Sequence, residues 1–511
     1  MRTRLRLVGA LVAPWLVWLG PSLGPPHGTA HAQKAQDTLR VVWRDAVLDL
    51  DPYRNALRTG LVVAHHAWDT LIHRDPETLQ LKPLLATGWR YADPVTLEFD
   101  LRPGVKFHDG SPFGADDVVY TINSILTEPE VAVPSLFAFL DGAERVDELK
   151  VRLRLKRVFP AALEILAMAV PILPKAYRER LGAGFSQAPV GTGPYRIASV
   201  EEAAGFALER NDAYFDGPKG RPAIRRITVR QVADSAAELA AMASGEADWI
   251  WKYRPDLIEV LNRLPGVQTL RAEGMRVGYL VMDAAGRTGA GTPTTHLKVR
   301  QAVMHAVDRQ AVARQFMPGA RVLDAPCYPT QFGCDQGIAV KYEYDPAKAR
   351  ALLTEAGYPQ GFETELVGYL LPQMQDAIQG YLGAVGIQAR VVQMQTAPAL
   401  RRSARGSTPL GLGSWGSYSI NDVSAILPRF FGGGEQDYAR DPEVRRLVLE
   451  GGEVGDPDQR RRAYSAAIRR LTEQAYMLPL FTFVTTYAVS RQLVFKPSPD
   501  ELPRFYLASW R

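Results

Sequence analysis

Cysteine is nearly absent: the 511 residues hold two, Cys327 and Cys334. That is too few for a disulfide framework or a four-cysteine zinc site. Both lie in a Pro- and Gly-bearing loop, with no His or further Cys adjacent. In an exported chain a close, even pair reads as a disulfide closing a small loop; a two-thiolate metal site is the alternative and needs further ligands. Long apolar runs are missing beyond residues 7–19, and a membrane span needs about 20 consecutive apolar residues. No dense basic face exists either, only Arg225-Arg226, Arg401-Arg402 and Arg460-Arg461-Arg462, which is not a nucleic-acid footprint. Histidine is sparse. Beyond residue 32 it stands at 65, 66, 73, 108, 296 and 305, with no pair at zinc-protease spacing around a Glu. His65 and His66 would point apart on a helix. No metal or acid–base constellation is legible, and no catalytic residue, metal or cofactor is expected.

The N-terminus has a definite order. Arg2, Arg4 and Arg6 precede the apolar stretch, then come Gly20, Pro21, Pro25 and Pro26, and Ala30-His31-Ala32 offers small residues to a signal peptidase. Residues 1–32 are expected to be a cleaved signal peptide, leaving Gln33 as the mature N-terminus. No Cys follows the apolar run, so no lipid anchor is expected and the mature protein should be free in the periplasm or outside the cell. Removing residues 1–32 leaves 57 Lys and Arg against 55 Asp and Glu, so the formal charge falls from +5 to +2. The remaining length exceeds what one core usually serves and implies two or three domains.

Two motifs imitate catalysts. Gly20-Pro21-Ser22-Leu23-Gly24 has the form of a nucleophile elbow but lies inside the leader. Gly411-Leu412-Gly413-Ser414-Trp415-Gly416 has the dinucleotide spacing, yet a polar stretch without strand period precedes it. Elsewhere strand and helix signals alternate. Leu97, Phe99 and Leu101 alternate with acids as a strand; after the turn Arg102-Pro103-Gly104, Val105 and Phe107 read as its partner. Ser235-Ala236-Ala237-Glu238 reads as a capping box, and Asp345-Pro346 as an N-cap with Pro following. Residues 362–367, 373–385 and 387–392 read strand, helix, strand around Gly386, which implies a parallel α/β sheet.

Several stretches in fixed order resemble the extracellular solute-binding proteins of family 5, which include dipeptide-, oligopeptide- and nickel-binding proteins. The first joins Ala67-Trp68-Asp69-Thr70-Leu71, Leu81-Lys82-Pro83-Leu84-Leu85-Ala86 and residues 101–110 to Asp116-Asp117-Val118. Then come Gly191-Thr192-Gly193-Pro194-Tyr195, Asn211-Asp212-Ala213-Tyr214-Phe215, Ser244-Gly245-Glu246-Ala247-Asp248, Ala306-Val307-Asp308-Arg309 and Tyr344-Asp345-Pro346-Ala347-Lys348-Ala349. Gly114 departs from the hydroxyl residue usual there, though Gly also serves as an N-cap.

The resemblance implies an α/β periplasmic-binding-protein-like fold, two main lobes around a ligand cleft plus an inserted third domain. Domain I would comprise residues 33–72, 191–278 and 483–511, domain II residues 73–190, and domain III residues 279–482, with hinge strands crossing near residues 279–283. It implies a non-enzyme: a periplasmic substrate-binding protein of an ABC importer, monomeric, closing on a small-molecule or peptide ligand and delivering it to permease subunits, with no nucleic acid. A metal- or haem-binding member of the family and a periplasmic metal-dependent hydrolase are the alternatives. Carried over by position, the ligand contacts are Trp251, Lys252 and Tyr253 on one wall. Trp415, Gly416, Ser417, Tyr418, Asn421 and Asp422 form the other, with Tyr53 at the entrance and Arg58 adding positive charge. The alternative is that Trp251 and Trp415 are core aromatics, though the polar neighbours interrupting both segments favour the cleft. In the peptide-binding members an Asp after the Gly-Trp motif pairs with the ligand ammonium; Tyr418 stands there, and Asp422 is the nearest carboxylate. Lys252, Arg58 and Arg276 offer positive charge, so a neutral or anionic solute or a modified peptide is expected rather than a free-amino dipeptide.

Overall fold

The computed structural model describes residues 37–45, 49–55, 57–201, 205–253 and 257–511. The leader, Gln33 and Arg254 lie outside the described residues. The organising element is a ten-stranded mixed sheet. Two long antiparallel strands, Val267–Met282 and Met477–Ser490, run through its middle. On one side of them lie Trp249–Trp251, Thr38–Trp43, Arg226–Gln231, Gly205–Arg210 and Tyr195–Glu201, in that order. On the other lie Leu410–Trp415, Phe362–Gly368 and Ile387–Gln393. Each half carries its own core, so the molecule has two lobes joined by strands belonging to both.

Local sequence accounts for much of this. Phe362–Gly368 and Ile387–Gln393 pair in parallel, linked by the helix Pro372–Gly383, as the strand-helix-strand reading requires. Gly361 and Gly386 close that unit: a Cβ on Gly361 would lie 1.8 Å from the Gly386 carbonyl oxygen. Asp345 caps the helix Pro346–Glu355 by accepting from the Lys348 amide at 2.9 Å. Leu97, Phe99 and Leu101 are buried within Thr96–Leu101. That strand sits in a separate four-stranded antiparallel sheet with Ala86–Asp93, Lys150–Leu155 and Leu140–Asp147.

Two expectations need correction. Val105 and Phe107 bury their side chains but form no ladder; only an isolated bridge links Lys106 to Pro112. The neighbours of Thr96–Leu101 come instead from residues 86–93 and 150–155, which offer longer runs to pair with. The helix Ser235–Ser244 is capped by Asp234, which accepts from the Ala237 amide at 2.8 Å, and not by Ser235. Gly411 and Gly413, from the imitation dinucleotide motif, lie inside a paired strand and not in a loop before a helix.

Candidate functional site

Leu410–Trp415 ends where the lobes face each other, and the chain continues into residues 416–422. Ser417, Tyr418 and Ser419 take φ values of +49°, +48° and +64° in succession. Left-handed backbone costs a non-glycine residue roughly 1–2 kcal/mol, so the turn persists only if its surroundings impose it. They do so from three sides. Arg58 donates to the Ser419 hydroxyl, which donates to the Asp500 carbonyl at 2.7 Å, and Arg74 donates to the Ser419 carbonyl. Glu164, on the helix Ala162–Ala169 that packs on Ile72–Arg74, accepts from the Asn421 amide at 3.2 Å. Within the loop's own lobe, the Gln331 side chain donates to the Ile420 carbonyl at 2.9 Å, and the Phe332 amide donates to the Asn421 carbonyl at 3.0 Å. Gln331 and Phe332 lie in the loop closed by the Cys327–Cys334 disulfide.

Charge gathers behind this turn. Glu501 is buried and lies 3.4 Å from Arg58 and 3.5 Å from Arg276. Burial alone would raise its carboxyl, but Arg276, Arg58 and Lys252 outweigh that and hold it below the ordinary carboxylate range. Arg276 reaches the cluster because the ladder between the two long strands is irregular between Gly274 and Val277; such a bulge re-aims a side chain. Lys252 lies 3.9 Å from the Trp251 ring centre with φ +56°. Its side chain stays open to solvent, yet the protein crowding it lowers its ammonium to about 8.

Two cavities flank Tyr418. The larger, about 420 Å³, opens between Leu136, Phe139, Phe159 and Ile165 on one side and Trp415, Ile420 and Arg429 on the other. A smaller one, about 60 Å³, lies beyond Tyr418 among Pro52, Tyr53, Leu61, Phe137 and Met168. Leu136 and Tyr418 line both.

The sequence-derived residues separate accordingly. Trp415 and Tyr418 line the larger cavity, their rings edge to face at 5.0 Å. Tyr53 borders the smaller one and donates its hydroxyl to the Pro171 carbonyl at 2.6 Å. Arg58 belongs to the charge cluster. Gly416 packs on the Arg276 guanidinium, where a Cβ would come within 2.9 Å of a nitrogen. Ser417 is buried with a hydroxyl that has no hydrogen-bond partner. Asn421 lies on a different hollow, beside the disulfide loop.

Three placements depart from the expected wall. Trp251 is 2 % exposed and packs against Trp249 and Tyr487, so it is a core aromatic. Tyr253 is buried in a separate cluster with Met242 and Leu261, its hydroxyl on the Tyr487 carbonyl at 3.1 Å; the strand ends at Trp251, and the left-handed Lys252 turns the chain before Tyr253. Asp422 points away from both cavities into a buried pair with Arg460 at 2.7 Å, and accepts from the Ser424 amide at 2.9 Å. The sequence reading missed Glu501, Asp500, Arg74, Glu164 and Arg429. Arg74, Glu164 and Glu501 meet partners remote in the chain, and no local pattern in the sequence reading marked any of the five.

Comparison with known proteins gives a consistent result. The family model for bacterial extracellular solute-binding proteins, family 5 Middle, matches residues 80–438. The glutathione-binding protein GsiB of Pectobacterium atrosepticum is 30% identical over 374 residues, 69% of this chain and 70% of that protein. Heme-binding protein A of Haemophilus influenzae is 26% identical over 458 residues, 82% of each chain. The structure of HbpA2 from Haemophilus parasuis superposes with a TM-score of 0.80 at 24% identity, covering 93% of this chain and all of that one.

Proposed function

We propose, from the premise that this chain belongs to the bacterial extracellular solute-binding proteins of family 5, that it captures one small solute between its lobes and hands it to the permease of an ABC importer. The observation that carries this reading is the turn at residues 417–419, held in left-handed backbone by groups from both lobes and set between two cavities. A strained turn whose supports span two bodies is formed only when those bodies approach. Solute in the larger cavity would add contacts to the closed arrangement alone, and that differential affinity is what shifts such an equilibrium. Bending is concentrated in the two long shared strands. In this reading residues 33–72, 191–278 and 483–511 form domain I, residues 73–190 the inserted domain II, and residues 279–482 domain III. The protein acts as a monomer in the periplasm after loss of its leader, without catalysis of its own.

A free α-ammonium group has no assigned anchor, because Tyr418 occupies the position of the peptide binders' Asp and Asp422 is committed to Arg460. Unmodified dipeptides are therefore not the preferred solute. The relatives named for glutathione and haem show that the family takes other cargo. Mass spectrometry of small molecules released on denaturing the purified protein tests the reading. One solute in near-stoichiometric amount, which raises the melting temperature when added back, is expected. Micromolar binding of unmodified di- and tripeptides that Asp422→Asn abolishes would overturn the specificity, and a stoichiometric tightly held zinc would favour the hydrolase alternative.

A further inference from the structure

The larger cavity is lined by Lys156, Arg157 and Arg429 and by no carboxylate. The smaller one has no charged side chain at all. A cation facing a partly apolar space needs a counter-ion once that space closes. One of the three is already answered: Arg157 reaches Glu453, outside the cavity lining, at 3.3 Å. The other two are not, and neither has an ion-pair partner among the described residues. The Arg429 guanidinium carbon lies 4.0 Å from the Trp415 ring centre, and its Nε is buried with no hydrogen-bond partner. Stacking fixes the plane of a guanidinium while leaving its edge donors free, the arrangement that takes a carboxylate or phosphate in bidentate fashion. Lys156 is exposed at the end of the four-stranded sheet.

The rest of the lining, Ser135, Ser424 and the Tyr418 hydroxyl apart, is apolar. Phe139 and Phe159 stack at 4.7 Å on the wall facing Trp415. Beyond Tyr418 the smaller cavity continues with aliphatic and aromatic lining. Of the cations expected from sequence to meet a ligand anion, Arg58 and Arg276 converge on Glu501, and Lys252 lies over the Trp251 ring and lines neither cavity.

Building on the solute-binding reading, we infer that the solute is a net anion with an apolar body, its acidic group held by Arg429 with help from Lys156. The body lies over Phe139, Phe159 and Trp415, and its apolar end points past Tyr418.

Four compounds on one skeleton separate charge from shape: N-acetyl-Leu-Phe, Leu-Phe, N-acetyl-Leu-Phe-amide and Leu-Phe-amide. Calorimetry with the mature chain should rank N-acetyl-Leu-Phe first, roughly tenfold or more ahead of its neutral amide. The cationic Leu-Phe-amide should be weakest. Arg429→Gln should erase the preference for the acid. Lys156→Gln, at an exposed position that leaves folding intact, should narrow it and reduce its salt dependence. The inference is overturned if the neutral or cationic amide binds as tightly as the acid. It is also overturned if the preference survives Arg429→Gln, or if the folded protein takes none of the four at millimolar concentration. A cationic solute released on denaturation would overturn it while leaving the solute-binding reading intact. Failure to release or bind any solute would count against both.

Discussion

Asp422 and Arg460 are nearly inaccessible to solvent, and each is the other's ion partner. Removing one member of such a pair strands the other charge, so this carboxylate holds architecture together instead of waiting for a ligand. Its motif-like position was legible; its partner, 38 residues away, was not. Glu238 is a different buried acid. It is 1 % exposed, neither oxygen has a hydrogen-bond partner, and its nearest cation is Arg44 at 3.3 Å. Burial raises its carboxyl from 4.5 to about 7 against the pull of Arg44. The folded state thus holds a proton that the unfolded state has lost between those values, and stability falls as pH rises from 4.5 to about 7. Glu238→Gln should flatten that dependence and raise neutral-pH stability by up to about 3 kcal/mol. Urea denaturation at a series of pH values checks it; an unchanged pH profile would refute the assignment. From sequence Glu238 looked like a helix-capping residue, because its spacing from Ser235 was visible and its burial was not.

Elements were the most legible scale. Alternation located Thr96–Leu101, and caps located the helix Pro346–Glu355. These signals act over a few residues, which is the range over which a sequence can be read directly. The disulfide loop shows where that range ends. The cysteine pair was visible, but nothing local said that the loop supports the turn at residues 417–419 through Gln331 and Phe332. Closing so short a loop stabilises by about 2–3 kcal/mol in the chain-entropy account. Cys327→Ser with Cys334→Ser should lose stability of that order and weaken binding of the released solute several-fold. Chemical denaturation and calorimetry measure the two effects separately. Unchanged affinity in the folded variant would mean that the turn does not depend on this support.

At the scale of the whole molecule, strand order was beyond a local reading. The resemblance supplied the expectation of lobes around a cleft, while the actual neighbours of each strand depend on contacts hundreds of residues apart. Thr38–Trp43 lies between Trp249–Trp251 and Arg226–Gln231. The final segment returns to the same lobe: Leu493, Leu502, Phe505 and Tyr506 are in its core, Phe505 meets the Trp249 ring, and Asp500 pairs with Arg74. A chain ending at residue 490 should lose cooperative thermal unfolding of that lobe, which calorimetric melting reads directly; a retained second transition would contradict it. The same arrangement governs the order of events during synthesis. Thr38–Trp43 is partnered by Trp249–Trp251, whose other neighbour is Met477–Ser490, made more than 430 residues later, and contacts so distant in sequence form slowly. A growing chain therefore keeps this lobe unfinished until Met477–Ser490 has been made, and an unfinished lobe stays loose enough to be threaded where a finished one would jam.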